Sequence, residues 1–374
     1  MRIAILGTRG IPSQYGGFEK CAERIALCLA ERGHEVVVYN SHNHANQKVL
    51  WNGIRIVHIH DPEFKFGGLG RLIFDYKCMG DLKKQNCDII LQFGYRSSML
   101  WGFKMPRYIS LVTNMGGLEW SRSKYGFLSS KLVILAEKLA VYNCDNLISD
   151  SLGIQSYLLK KFRKISQYIP YGADIFNDPN EAALEKFKVL RFKFDLFIGS
   201  LEVENSLEII LDGVVKAQAD RDFLVVGNCL TKNGKILTNK YKKYANIKFL
   251  GGIYDEKELN NLRYFSNLYF HGQTLGKASP LLLEAMGCRS LISANDNIFN
   301  RSILGNDALY FQTVEDITQQ MKAAYRENPE HNHYLNNNAF KIKNYYSWKN
   351  IGERYEQYFY DIMKNNFSNH HDSV

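Results

Sequence analysis

Short runs of apolar, often β-branched residues alternate along the whole chain with longer stretches whose apolar positions recur every three to four residues. The runs RIAILG, DIILQF and DFLVVG are apolar at nearly every position, without the alternation of a strand wetted on one face. Strands of that kind lie in parallel sheets covered by helices on both sides. The pattern predicts strands at 2–7, 35–40, 54–60, 88–93, 107–112 and 146–150, then at 195–199, 222–227, 246–251, 267–271, 289–294 and 308–311. Strand and helix in alternation give a doubly wound α/β architecture, and two such series give two Rossmann-like domains. The length, 374 residues, is also more than one typical core.

The stretch YGADIFNDPNEAAL, 171–184, carries Gly, Asp, Asn and Pro without any period and reads as a boundary. It separates a first domain, 1–172, from a second, 185–345. A last helical pattern at 348–364 follows the final strand and is expected to pack back on the first domain.

Composition narrows the class. Apolar residues make up 45% and aromatics 13%, as in a globular protein. No run reaches eighteen apolar residues, so no membrane-spanning helix is expected. The N-terminus reads directly as a strand, without the features of a signal peptide. Seven cysteines, an odd number without a CxxC pair, point to reduced thiols in a cytoplasm and to no zinc site. A net charge of +9 suits nucleic acid, anionic lipid or a phosphorylated ligand. Without zinc-finger spacing or an RNP-type motif, nucleic acid is not expected as a partner.

Two loops carry candidate chemistry. The first, GTRGIPSQYGGFEKCAE at 7–23, joins a strand to a helix at the end of the sheet where doubly wound folds hold ligands. Gly16 and Gly17 allow close approach of backbone N–H groups to an anion at the helix N-terminus. The same glycines could equally just turn the chain. The pattern is neither GxGxxG nor GxxxxGK[ST], so it indicates no dehydrogenase or P-loop. The second loop, LYFHGQTLGKASPLLLEAMGC at 268–288, reads strand, loop, helix. Ser279 is a good N-cap and Pro280 an ideal first helical residue. The amides of Leu281 and Leu282 would then face a phosphate, with Lys277 adding positive charge. Glu284 stands one turn in, within reach of a ribose diol. Its setting in the apolar run LLLEAM requires a partner or a ligand.

GTRGIPSQYGGFE, NMGGLEWSRSKY (114–125) and HGQTLGKASPLLLEAMGC together resemble retaining glycosyltransferases of the GT-B fold, in particular the rhamnosyltransferase-like group of bacterial polysaccharide assembly. LISDS, IPYGAD and DNIFNRSIL fit the same order, so the resemblance covers nearly the whole chain. It implies two Rossmann-like domains facing a cleft, with a nucleoside-diphosphate sugar as donor substrate and no cofactor or metal. It implies a hexosyl transfer, with rhamnose among the candidate sugars, to a lipid-linked oligosaccharide in capsule or O-antigen synthesis, in the cytoplasm or on the inner face of the cell membrane. On the donor side it places Gly16, Gly17, Ser200, Asn205, His271, Lys277, Ser279, Leu281, Leu282 and Glu284. On the acceptor side it places Arg9, Tyr15, Glu19, Asp150 and Tyr171. Asn114 and Glu119 are the candidates near the reacting sugar.

The chain also departs from that group. Gly116 stands where the group has aspartate, Ser200 where it has arginine, Ser279 where it has asparagine and Gln273 where it has histidine. Either the donor or acceptor differs from the group's norm, or the protein is a catalytically reduced binder of nucleotide or glycan, or a scaffold. Asp220–Arg221–Asp222 matches a DxD metal pattern but precedes its strand, the wrong end for a ligand, and reads as a turn. The histidines at 42, 44, 58 and 60 look like a metal cluster, but a strand with two polar histidines is commonly half exposed and no metal is expected there, and those at 331 and 333 read as surface. The segment 154–169, IQSYLLKKFRKISQYI, reads as a basic amphipathic helix with Ile154, Leu158, Phe162 and Ile165 on one face. It either packs on its sheet or meets an anionic membrane.

Overall fold

A computed structural model of the chain describes residues 1–14, 16–95, 109–117, 127–144, 146–274 and 280–371, without the side chains of 127–129 and 366–371. The described residues form two compact units. One comprises the chain up to Tyr171 together with the stretch from Trp348 onward; the other comprises the residues from Gly172 to Ser347. The stretch read as a boundary falls almost wholly in the second unit, where 181–187 winds into a short 3₁₀ segment.

The first unit holds β1 (Arg2–Leu6), β2 (Glu35–Ser41), β3 (Leu50–Trp51), β4 (Ile54–Ile59), β5 (Ile89–Phe93), β6 (Ser110–Asn114), β7 (Asn146–Ser149) and β8 (Gln167–Tyr168). They form one sheet in the order β3-β4-β2-β1-β5-β6-β7-β8. All pairs are parallel except β3 with β4. β1 is central, with Ile3 opposite Val36 on one side and Ile89 on the other. The chain builds outward from β1 in one direction and then the other, so the ligand crevice of this unit lies beyond β1 and β5. β3 and β8 are two residues each, too short to display a period of two, and the apolar pattern missed them.

The helix Gly17–Glu31 buries Cys21, Ala22, Ile25, Ala26 and Leu29. Against it runs the last helix, Trp348–His371. Arg32 pairs with Glu353 (2.6 Å) and Glu356 (3.0 Å), and His34 Nε2 meets Glu356 at 2.8 Å.

The basic amphipathic helix read over 154–169 is corrected. The helix is Leu152–Phe162, and Arg163 closes it in the left-handed conformation (φ 55°). Lys164 and Ile165 lie beyond the helix, Ile165 is 83% exposed, and Gln167–Tyr168 is β8. Within the helix, Lys161 is tied to Glu137 (3.0 Å) and to the hydroxyl of Tyr157. The continuous basic face therefore does not form.

The second unit holds β9 (Phe194–Ile198), β10 (Asp222–Val226), β11 (Ile247–Gly251), β12 (Tyr269–His271), β13 (Ile292–Asn295) and β14 (Leu309–Phe311). The sheet is wholly parallel, in the order β11-β10-β9-β12-β13-β14. Phe197, Phe223, Phe270 and Phe311 pack in its core with Leu207 and Ile210 of the helix Leu207–Ala217. The strand order reverses between β9 and β12, which puts this unit's crevice beyond Ile198 and His271.

Candidate functional site

In the first unit, Gly16 caps the helix Gly17–Glu31 with φ 103°, a conformation open to glycine and costly to other residues. The Glu19 carboxylate folds back so closely that a Cβ at Gly16 would collide with its Oε2. Its other oxygen accepts the Arg9 backbone N–H at 3.4 Å. The helix N-terminus, read as a place for an anion, thus carries a carboxylate of its own chain.

Arg9 and Glu19 line a cavity of about 450 Å³ together with Asn43, His44, Asp61 and Glu63. Arg9 Nη2 donates to Glu63 Oε1 at 2.7 Å. Arg71 stands beside it, donating to the Thr8 carbonyl at 3.0 Å. Sequence reading named Arg9 and Glu19 and did not name Asp61 and Glu63, which line the same cavity. These two follow β4 in a segment, HDPEF, without a glycine-rich signature, and only the parallel pairing of β2 with β4 brings them to the loop after β1.

Asn114 is only 3% exposed, at the end of β6. Its Nδ2 donates to the Tyr355 hydroxyl (2.8 Å), and its Oδ1 accepts the Gly116 N–H (3.0 Å). Both ends of the amide shape the 114–117 turn. Tyr355 and Cys21 also neighbour Asp150, and burial pushes the Cys21 thiol and the Tyr355 hydroxyl well above their ordinary ranges. Tyr355, 241 positions from Asn114, had no motif to announce it. Tyr171 packs edge-on against Trp348, ring centroids 4.8 Å apart. Tyr15 and Glu119 lie outside the described residues.

Gly116 has φ 56°, and a Cβ there would meet Phe18 Cζ at 2.5 Å. An aspartate can enter here only if the Phe18 ring moves. Gly116→Asp is therefore expected to lower stability by about 1–3 kcal/mol. Thermal melts should show a smaller loss for the same substitution in a Phe18→Leu background. An equal loss in both backgrounds would count against the clash.

In the second unit, the loops beyond β9 and β12 are laced together. Asn205 Nδ2 donates to Ser200 Oγ (2.7 Å) and to the Ser200 carbonyl (2.8 Å). The N–H and hydroxyl of Thr274 both donate to the Glu204 carbonyl, at 2.9 and 3.0 Å. Asn297 Nδ2 and Asn300 Nδ2 donate to the Gln273 carbonyl. His271 closes β12, 4% exposed, and burial pushes its imidazole down to about 4, so it is neutral at neutral pH. Its Nε2 has no hydrogen-bond partner among the described residues.

The helix Pro280–Gly287 follows, with Leu281 and Leu282 in its first turn. Backbone N–H groups there have no acceptor four residues back within the helix. Lys277 and Ser279 lie outside the described residues. Glu284 Oε2 accepts from Arg263 Nη2 at 2.6 Å. The Arg263 side chain is 1% exposed, that of Glu284 15%. Burial pulls the Arg263 pKa down, but the Glu284 carboxylate, with Tyr269 and Cys288, outweighs it and holds the guanidinium above its usual range. Arg263 escaped sequence reading because NNLRYF resembles the last turn of any surface helix.

No group of acidic, histidine or cysteine side chains suited to a metal ion occurs among the described residues. His58 Nε2 is bonded to the Asn46 carbonyl (2.9 Å), and His42 stacks on His60.

Residues 104–174 match a family described as a domain of unknown function, DUF1972. No curated protein sequence matches the chain. Among solved structures, sucrose-phosphate synthase from Thermosynechococcus elongatus is 15% identical, covering 97% of this chain and 99% of that one, with a TM-score of 0.81. Anabaena HepE in complex with UDP and glucose is 16% identical over 96% and 98%, with a TM-score of 0.75. WaaG, a glycosyltransferase involved in lipopolysaccharide biosynthesis, is 16% identical over 94% and 98%, with a TM-score of 0.70. These neighbours have the GT-B fold, and likeness over nearly the full length shows that fold for this chain.

Proposed function

We propose that the protein is a glycosyltransferase that takes a nucleoside-diphosphate sugar as donor. The observation that carries this reading is the second unit's crevice at the reversal of strand order. The buried, neutral His271 ends β12 at that reversal, and the helix that follows, Pro280–Gly287, carries a carboxylate one turn in. A helix N-terminus suits a diphosphate, and the negative charge that develops on the leaving group is stabilised by the same dipole and amides. In this reading Glu284, held by Arg263, accepts hydrogen bonds from the ribose hydroxyls. HepE, of the same fold, has been solved with UDP and with UDP-glucose, which makes uracil the first base to test.

In this reading the first unit's cavity takes the acceptor. Asp61, Glu63, Glu19 and Asn43 offer acceptors and a donor suited to the hydroxyls of a neutral sugar. The resemblance in sequence points to a retaining transfer, to rhamnose among the sugars to try, and to a lipid-linked acceptor on the cytoplasmic face of a membrane. Asn114 positions the turn beside the reacting sugar.

Ser200 favours a second reading, a nucleotide or glycan binder with reduced turnover. Its hydroxyl is committed to Asn205 and supplies no cation to a diphosphate. A thermal-shift panel of nucleoside diphosphates followed by a donor-hydrolysis assay separates the two. The enzyme reading expects a rise in Tm with at least one diphosphate and slow hydrolysis of its sugar. A rise without hydrolysis or transfer favours the binder, and no rise with any nucleotide removes the donor site.

A further inference from the structure

The segment from Glu63 to Leu82 leaves an unusual surface uncovered. Phe64, Phe66 and Leu69 are 69%, 60% and 69% exposed, and Ile73 and Tyr76 are also exposed. The helix Gly68–Leu82 turns Phe74, Cys78, Met79 and Leu82 to the core. Leu69, Ile73 and Tyr76, spaced at i, i+4 and i+7, form one outward stripe. Singly exposed apolar residues are ordinary, but a contiguous group of large ones on a soluble protein marks a contact surface.

Charge identifies the partner. Every exposed charged residue from 64 to 84 is a lysine: Lys65, Lys77, Lys83 and Lys84. The carboxylates of the same segment turn inward. Asp75 is buried beside Arg71 (3.6 Å), and Asp81 accepts from the Tyr39 hydroxyl (3.0 Å) and from Gln85 (2.7 Å). Lys65 Nζ stands 5.4 Å from the centre of the Phe64 ring, so cation and aromatic share one spot. Exposed aromatic and aliphatic side chains interspersed, within 64–84, with lysines complement an anionic lipid surface, where rings seat at the boundary and ammonium groups meet headgroups. The patch is also continuous with the candidate acceptor cavity, because Glu63, Phe64 and Gly67 line that cavity's wall.

We propose that this face of the first unit docks on an anionic phospholipid membrane and holds the mouth of the cavity at the headgroup level. The inference rests on the acceptor reading for its purpose, since a lipid-linked sugar would reach the cavity from the surface on which the patch sits. Its physical test is independent of that reading.

The full chain is floated with vesicles of phosphatidylcholine alone and of phosphatidylcholine with phosphatidylglycerol. The protein should float with the anionic vesicles, less so as salt rises. Phe66→Ser, Leu69→Ser and Ile73→Ser together should lower the bound fraction at least tenfold, with an unchanged melt because all three are exposed. Lys65→Gln, Lys77→Gln, Lys83→Gln and Lys84→Gln together should abolish the preference for the anionic lipid. Lys160→Gln with Lys164→Gln should change nothing. Failure of the wild type to float would overturn the proposal, as would equal flotation of the serine variant. Loss of flotation in the Lys160/Lys164 variant would move the contact elsewhere. A dimer in sedimentation that the serine substitutions disperse would assign the patch to a second copy of the chain instead. Transfer to a water-soluble sugar acceptor is measured in parallel. Transfer without flotation sinks this inference alone, and flotation without donor hydrolysis sinks the catalytic reading alone.

Discussion

Glu284→Ala should cost the protein stability and nucleotide affinity together. The Arg263 guanidinium is sealed in the second unit, and its Nη2 is paired with Glu284 Oε2 at 2.6 Å. Removing the carboxylate leaves a buried charge short of its counter-ion, which costs about 3–5 kcal/mol. Affinity for a diphosphate nucleotide should fall about tenfold or more, because hydrogen bonds from ribose hydroxyls to a carboxylate are charge-assisted. The two effects separate in a double variant. Glu284→Met with Arg263→Met replaces the pair with apolar side chains and should recover much of the stability in urea titration. Calorimetry should still find the nucleotide weakened. Wild-type affinity in the double variant would mean that Glu284 serves only to hold Arg263. Glu284→Gln, which keeps the shape, should lose less of both.

That test also marks how far the sequence could be read. LLLEAM announced that its carboxylate needed a partner, and periodicity alone placed the strand before it and the helix around it. It could not announce Arg263, because a helix position on the core side of an unrelated segment becomes a neighbour only once the fold brings it there. The same holds for Asp61 and Glu63 beside Arg9, and for Tyr355 beside Asn114. Strands in parallel sheets were legible because burial on both faces writes an unbroken apolar run. β3 and β8 were not, because two residues held by backbone pairing leave no side-chain pattern. The overlong basic helix at 154–169 came from extending a helical period through Arg163. A left-handed arginine gives no signal in composition, whereas a glycine there would have.

The Asp220–Arg221–Asp222 triplet is where motif and physics part most clearly, and Arg221→Ala is the substitution that shows it. Asp195, near the start of β9, is fully buried. Its Oδ2 accepts from Arg221 Nε at 2.5 Å, and its Oδ1 accepts from Asn267 Nδ2 (3.0 Å) and the Leu268 N–H (3.1 Å). Arg221 Nη2 donates to the Met321 carbonyl (2.5 Å), so one guanidinium joins β9 to the helix Val314–Ala323. Arg221→Ala would strand a buried carboxylate and should lower stability by about 3–5 kcal/mol in urea titration. The neighbouring Asp220, exposed at the same turn, should tolerate Ala within about 0.5 kcal/mol. The network sits at the N-terminal end of β9, opposite the crevice, so the folded fraction of Arg221→Ala should bind nucleotide as the wild type does. Adding divalent cations should leave the melts of all these proteins unchanged. A cation-dependent rise in wild-type stability that Asp220→Ala and Asp222→Ala remove would restore the metal motif. An Arg221→Ala protein as stable as the wild type would mean that Asn267 and Leu268 satisfy Asp195 without it.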